Sequence, residues 1–270
     1  MHYYTIQPPE QLKPYVRCFW VLEHDLGEGE QDYIYRSVAD GCAEIVFHYK
    51  GVFEDISENN NGNTADYRSG LHSQTSQYSR FITKENFGIF GAYLYPYAIP
   101  RLFGLPADET TNTQIDLQLL LGEEGKFLEE RIMLANDNAQ RVDILTAFLE
   151  KQLPKNRLIE KSMMIAVRHV IYDGNCGNVS DLASKFSLST RQFDRKFKIY
   201  SGFGPKTYLR LTRLQKALKQ YGCDKSLTQI AYECGYYDQS HFIHDVKAFT
   251  GYHPGHYFSG KAEGTEYRNV

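Results

Sequence analysis

No stretch of about eighteen or more consecutive apolar residues occurs, so no segment is long enough to cross a bilayer as a helix. The first residues, Met1 to Gln11, are polar and interrupted by Pro8 and Pro9, unlike the basic-then-apolar layout of a secretory signal. Cysteine is sparse: Cys18, Cys42, Cys176, Cys223 and Cys234 are odd in number, scattered and without a close pair. That excludes a disulfide framework and leads us to expect reduced thiols in a cytoplasmic protein. A phosphate-cradling glycine loop, a His-Glu-x-x-His pair and a nucleophile elbow are all missing, so no enzyme is expected. His241-x-x-His244 and His253-x-x-His256 have the spacing of metal ligands, but no cysteine or carboxylate set completes them. His24, His48 and His72 are isolated, and neither a metal nor another cofactor is expected.

What is present is enough for two domains: 270 residues, 42% of them hydrophobic and 14% aromatic. The net charge of -3 conceals an uneven distribution. Between Lys161 and Phe258 there are 14 Lys and Arg against 7 Asp and Glu, whereas the rest of the chain has 16 against 26. A basic block joined to an acidic one suggests one part that meets a polyanion and one that does not.

The first half reads as α+β. Val16–Leu22, Ala43–Tyr49 and Phe87–Tyr95 are short, aromatic and β-branched, as strands are. Glu54–Asp66, with its run of asparagines, reads as a polar turn or loop. After Pro106, the segments Ile115–Leu121, Glu123–Ala135 and Ala139–Leu153 show apolar residues at helical spacing. The expected organisation is an α+β domain over residues 1–154, β-rich to about 105 and helical over 106–154. An all-α domain over 155–260 and a tail over 261–270 follow, with the boundary at Pro154–Arg157.

The all-α part divides at its caps and stops. Leu158–Tyr172 opens it, and Val179–Phe186 follows with Asn178 as N-cap. Ser189 is placed to cap Thr190–Tyr200, which stops before Gly202. Pro205–Tyr221 places Tyr208, Leu211, Leu214, Leu218 and Tyr221 along one side. Ser226 caps Leu227–Cys234, and Asp238 caps Gln239–Phe249, which ends at Gly251.

Within this part the chain repeats itself at an offset of 49 residues: Phe193 on Phe242, Lys198 on Lys247, Gly202 on Gly251, Pro205 on Pro254 and Tyr208 on Tyr257. Upstream, Leu182-Ala183 and Ile230-Ala231 correspond at an offset of 48. Each unit is a short helix with an apolar-Ala pair, a tight turn and a capped second helix. That is the make-up of a helix-turn-helix, in which the small alanine lets the two helices approach closely. Phe193 with Phe197, and Phe242 with Val246, face inward at i, i+4 spacing; the residues between face out. A repeat used only for packing is the plainer alternative. The outward positions nevertheless carry Arg191, Arg195, Lys196, Lys198, Gln239, Ser240 and Lys247, whose donors suit base edges and phosphates.

The span Leu158–Phe258 resembles the DNA-binding domain of the AraC/XylS family of bacterial regulators. The resemblance lies in Val179-Ser-Asp-Leu-Ala183, Ile230-Ala-Tyr-Glu-Cys-Gly-Tyr236, Asp238-Gln-Ser-His-Phe242 and Lys247-Ala-Phe-Thr-Gly251 followed by Pro254. It implies two helix-turn-helix subdomains joined by a long helix and docked on one face of double-stranded DNA. A linker of about 17 residues spans roughly 25 Å, and the recognition helices would then sit about one DNA turn, roughly 34 Å, apart. By matching positions, the implied base readers are Arg191, Asp194 and Arg195 in the first subdomain and Gln239, Ser240, Ile243 and His244 in the second. Ser189, Thr190, Lys198 and Lys247 would lie nearer the backbone. Asp194 would either accept from cytosine or hold Arg191 or Arg195 in place, the second being preferred. The chain departs from the family pattern at His244, Val246, His253 and Phe258, which puts the phosphate grip of the second subdomain in doubt. The function implied is sequence-specific transcription regulation, with RNA polymerase as a further partner.

The first half more faintly resembles an uncharacterised domain found ahead of AraC-type modules, through Tyr15-Val-Arg-Cys-Phe-Trp20, Asp40-Gly-Cys-Ala-Glu-Ile-Val-Phe47, Gly91-Ala-Tyr-Leu-Tyr-Pro96 and Thr113–Gly122. By analogy it would sense a small-molecule effector or mediate self-association, a homodimer being one form. Trp20, Phe47, Tyr93, Tyr95 and Tyr97 are candidates for enclosing an effector, or else plain core. A competing reading makes Cys18 or Cys42 an alkyl-accepting thiol, as in DNA-repair proteins that carry AraC-type modules.

Overall fold

The computed structural model describes residues 1–27, 29, 32–57, 68–153, 160–173, 178–220, 222–260 and 262. The expected boundary at Pro154–Arg157 and nearly all of the 261–270 tail lie outside the described residues.

The first half is built on a six-stranded antiparallel sheet in the order β1 (His2–Ile6), β2 (Val16–His24), β8 (Phe87–Leu94), β4 (Ala43–Lys50), β6 (Ser69–His72) and β9 (Gln114–Asp116). A second sheet, β3 (Tyr33–Ser37), β7 (Ser79–Thr83) and β5 (Glu54–Asp55), covers one of its faces. Side chains alternate across a strand, and β4 shows the consequence. Ala43, Ile45 and Phe47 point to a layer of helices, whereas Val46 packs with Trp20, Leu22, Phe53, Phe87 and Ile89 between the two sheets. The helical layer is α1 (Ala98–Leu102), α2 (Leu117–Leu121), α3 (Glu123–Met133) and α4 (Asn138–Gln152). Leu128 and Ile132 of α3 and Leu145 and Leu149 of α4 are buried in it.

The second half is helical: α5 (Lys161–Asp173), α6 (Val179–Lys185), α7 (Thr190–Ser201), α8 (Pro205–Leu218), α9 (Leu227–Glu233), α10 (Gln239–Thr250) and the short α11 (Pro254–Tyr257). Its core is not closed on itself. Met163, Phe193, Phe197, Leu211, Leu214, Phe242 and Val246 share one cluster with Val38, Ala39, Tyr95 and Tyr97 from the first half.

The fold class is the one expected, an α+β part followed by a helical part, but several elements differ. The polar N-terminus forms β1 at the sheet edge. Glu54–Asp55, expected as loop, pairs with Phe81 and Ile82 of β7, and positions 58–67 of that loop lie outside the described residues. The helix expected from Ile115 begins at Leu117, because Asp116 ends a strand and caps the helix through Leu119 N–H. The linker helix α8 stops at Leu218 rather than Tyr221, which lies outside the described residues. Its 14 residues span about 21 Å, less than the roughly 25 Å expected.

Candidate nucleic-acid interface

Both repeated units turn in the same way. In the first, the Ala183 carbonyl accepts from Phe186 N–H and Leu188 N–H, each at 3.1 Å, and Ser187 adopts a left-handed φ of 54°. In the second, the Ala231 carbonyl accepts from Tyr236 N–H at 3.0 Å, and the left-handed position is Gly235, φ 78°. Ser189 and Gln192 form a capping box at the start of α7, and Ser226 and Gln229 do so at α9. Asp238 caps α10 through His241 N–H at 2.7 Å. Phe193, Phe197, Phe242 and Val246 are completely buried, which fixes which face of each second helix turns outward.

On that outward face of α7 and its cap, Ser189, Thr190, Arg191, Asp194, Arg195 and Lys198 are all exposed. On α10, Gln239, Ser240, His244 and Lys247 are exposed and Ile243 is half-buried. The residues expected from the repeat therefore share two equivalent helix faces. Asp194 lies beside Gly204 at the start of α8, and among the described ion pairs none joins it to Arg191 or Arg195. Lys196, expected to point outward as a donor, is instead paired with Glu160 at 2.7 Å. His253 caps α11, accepting from Gly255 N–H at 3.1 Å, and His241 sits edge-on to Tyr236; both have structural roles.

Sequence reasoning missed Asp245. It is completely buried, and one carboxylate oxygen accepts from Arg210 of α8 at 2.7 and 3.1 Å. Asp245 stands 49 residues after Lys196, so each second helix is ion-paired to the chain segment that opens its own unit, with the charges reversed. Reading the repeat for chemistry as well as for identity would have found it. Tyr232 and Tyr237, 83% and 93% exposed, flank the α9–α10 turn and were also overlooked.

The first half holds both units at equivalent points, the glycine stops after α7 and α10. Thr111 Oγ1 donates to the Gly202 carbonyl at 3.1 Å, and Gln74 packs so closely that a Cβ on Gly202 would lie 2.0 Å from its Nε2. Arg36 donates to the Thr250 carbonyl at 3.0 Å and stacks over Tyr252 at 4.1 Å and Tyr78 at 4.7 Å. A Cβ on Gly251 would lie 2.7 Å from its guanidinium. Further ties are Ala39 N–H to the Phe249 carbonyl, Gln215 Nε2 to the Ala39 carbonyl and Tyr208 OH to the Gly41 carbonyl.

Beside these ties, a cavity of about 710 Å³ separates the large sheet from α5 and α8. Of the aromatic candidates for enclosing an effector, Trp20, Tyr93 and Tyr95 line it. Phe47 does not: strand alternation turns it to the helical layer, where it stacks on Phe90. Tyr97 is likewise core, stacked on Tyr95 at 5.4 Å. A smaller pocket of about 90 Å³ runs on between the two sheets and shares Trp20, Tyr35, Ser37, Asp40, Cys42 and Glu44 with the larger one. Burial, with Asp40 nearby, pushes the Glu44 carboxyl up to about 8. Burial also lowers His48 to about 3 and His72 to about 4, so both rings are neutral. The Cys18 thiol is pushed up to about 11 by burial and that of Cys42 higher still. An alkyl-accepting cysteine needs the opposite shift, toward thiolate.

Comparison with known proteins matches each half separately. Residues 4–116 match the family described as "Domain of unknown function (DUF6597)", and residues 182–260 match "Helix-turn-helix domain". The HTH-type transcriptional activator RhaS of Citrobacter koseri is 46% identical over 63 residues, 23% of this chain and 22% of that protein. RhaS of Escherichia coli is 33% identical over 128 residues, 47% of this chain and 37% of that protein. The chain thus spans well under half the length of these curated relatives. Among solved structures, ToxT from Vibrio cholerae aligns over 89% of this chain and 98% of its own at 14% identity, with a TM-score of 0.47. A regulator with an AraC-type DNA-binding domain from Chromobacterium violaceum aligns over 38% of this chain and 94% of its own at 26% identity, with a TM-score of 0.35. Among the described residues no helix is long and apolar enough to cross a membrane. The chain thus carries, behind a match to a domain of unknown function, a C-terminal helix-turn-helix domain similar in sequence to that of the RhaS transcriptional activators.

Proposed function

We propose that the protein is a sequence-specific DNA-binding transcription regulator and not an enzyme. It acts in the cytoplasm, and its first half modulates binding through a small-molecule effector or through self-association. One observation carries the reading: two capped helices, built from equivalent residues and buried on equivalent faces, leave donor-rich side chains exposed at matching positions. Arg191 and Arg195 have the fork geometry for guanine O6 and N7, Gln239 pairs in two bonds with adenine, and Lys198 and Lys247 suit phosphates. Asp194 serves the first unit either as an orienting charge or as an acceptor from cytosine. Ser189 and Thr190 present hydroxyls at a helix N-terminus, where a phosphate is well received. The domains run over 1–154 and 155–260, although the core shared between them makes the second dependent on the first for part of its packing. RNA polymerase is a further partner, in line with the relatives' names as transcriptional activators. A homodimer would bury Leu119 and Leu134, which are 79% and 82% exposed on the helical layer.

The test is selection of bound sequences from random DNA with the full chain. The expected result is one enriched motif with two blocks about one helical turn apart. Recovery of sequences without a common motif overturns the reading.

A further inference from the structure

The pocket between the two sheets carries an unbalanced set of groups. Its acidic lining side chains are Asp40 and Glu44; among the described residues that line it there is no lysine or arginine, and its two histidines are neutral. Asp40 lies near Arg17 at the mouth, where Arg17 stacks over Tyr93. Among the described residues no such cation acts on Glu44: the charge that acts on it is Asp40, of its own sign. The rings of Trp20, Tyr35, Phe53 and Phe81 line the same pocket. Polar atoms here that can accept also lack partners: Ser73 Oγ and His48 Nδ1 are buried without a hydrogen bond, the serine being 7% exposed. Buried polar groups are nearly always paired, so a group of orphans lining one pocket points to something that completes them.

We infer that this pocket binds a small organic cation, a protonated amine, whose ammonium group sits between the Glu44 carboxylate and the faces of Trp20, Phe53 and Phe81. The chemistry converges on that class. Without a positive partner the buried Glu44 carboxyl holds its proton, and an ammonium group supplies that partner, so the amine binds as the Glu44 proton leaves to solvent. Aromatic faces attract a cation most strongly where it is desolvated. An ammonium has three donors, and Glu44, Ser73 Oγ and a neutral His48 ring offer acceptors for them. An anion meets repulsion from Asp40 and finds no cation among the described lining residues. The inner pocket takes the charged head, and the 710 Å³ cavity into which it opens has room for an attached chain.

The inference deepens the reading of the first half as an effector-sensing part. A strand and a loop that wall the pocket, β3 and the segment after β6, also hold the ends of the recognition helices. Arg36, which grips the end of α10, lies between the lining residues Tyr35 and Ser37, and Gln74, packed on Gly202, lies between Ser73 and Thr75. A ligand that shifts the inward side chains therefore shifts the outward ones on the same backbone.

Isothermal titration of the full chain in phosphate buffer, without DNA, tests the proposal with n-butylammonium, n-butanol and butyrate as probes. The ammonium should bind, with the alcohol and the carboxylate weaker by at least about tenfold, the least expected for loss of a charge-assisted contact. Glu44→Gln should weaken the ammonium by a similar factor. Phe53→Leu, which keeps the charge, should weaken it several-fold and serves if the first variant fails to fold. Equal binding of ammonium and alcohol, no binding of the ammonium, or unchanged affinity in a folded Glu44→Gln or Phe53→Leu chain overturns the proposal. Because DNA is absent, a chain that binds the amine but selects no DNA motif contradicts the regulator reading alone; the converse contradicts the amine site alone.

Discussion

At the scale of single residues, energetics are set by groups placed against their own preference. Glu44 keeps its proton up to about pH 8 in the fold, against an ordinary value of 4.5. The folded state holds that proton more tightly than the unfolded chain, so the stability tied to Glu44 is complete below about pH 4.5 and lost as pH rises toward 8. His48 and His72 act in the reverse sense. Their folded values near 3 and 4 lie below the ordinary 6.5, so their contribution falls as pH drops below about 6.5. Replacing Glu44 by Gln should therefore raise the melting temperature more at pH 8 than at pH 5; an equal gain at both would contradict the burial argument. Ser187 is a second such residue, since the matching position of the second unit is Gly235 and the left-handed conformation costs a side chain roughly 1–2 kcal/mol. Ser187→Gly should recover about 1 kcal/mol of stability in chemical denaturation, less the extra freedom glycine gains when unfolded. A loss would show that Ser187 is held there by something other than the turn.

At the scale of elements, the helical half was legible because its signals are local. Ser189, Ser226 and Asp238 cap the helices they were expected to cap, and Phe193, Phe197, Phe242 and Val246 turn inward as their i, i+4 spacing requires. The strands of the first half were legible only where they are long and apolar. Tyr33–Ser37, Ser69–His72, Ser79–Thr83 and Gln114–Asp116 are three to five residues each, and their pairing depends on partners distant in sequence. The exposure of Arg191 and Arg195 could be read from the repeat, whereas the pocket around Glu44 could not. Its walls come from strands whose order in the sheets no local pattern encodes. Asp245 was hidden for a related reason, because its partner Arg210 lies on another helix. Removing Asp245 strands the partly buried Arg210 and loosens α10 on α8; Asp245→Ala should cost on the order of 3 kcal/mol. Urea denaturation measures it, and a change near zero would mean that the pair contributes only geometry.

At the scale of the whole molecule, the first half is a platform that holds both helix-turn-helix units at their glycine stops. Arg36 is the most heavily engaged of these contacts, with a hydrogen bond and two aromatic faces. Arg36→Ala should increase amide hydrogen exchange around Phe249–Tyr252 and leave the α7 end at Gly202 unchanged, since Gln74 and Thr111 hold that end separately. Exchange that rises at both ends would mean the two grips act as one. On the proposed reading α7 and α10 contact separate segments of one duplex. That reading is tested most directly by repeating the selection from random DNA with the full chain carrying Arg195→Ala or Gln239→Ala. Each variant should lose about 1–3 kcal/mol on the parent motif and relax it at one position. The two positions should fall in different blocks about a helical turn apart, while Lys198→Ala lowers affinity evenly and reduces the salt slope by about one unit. If Arg195→Ala and Gln239→Ala relax the same block, or weaken all sequences equally, the two helices are not independent readers and the account is wrong.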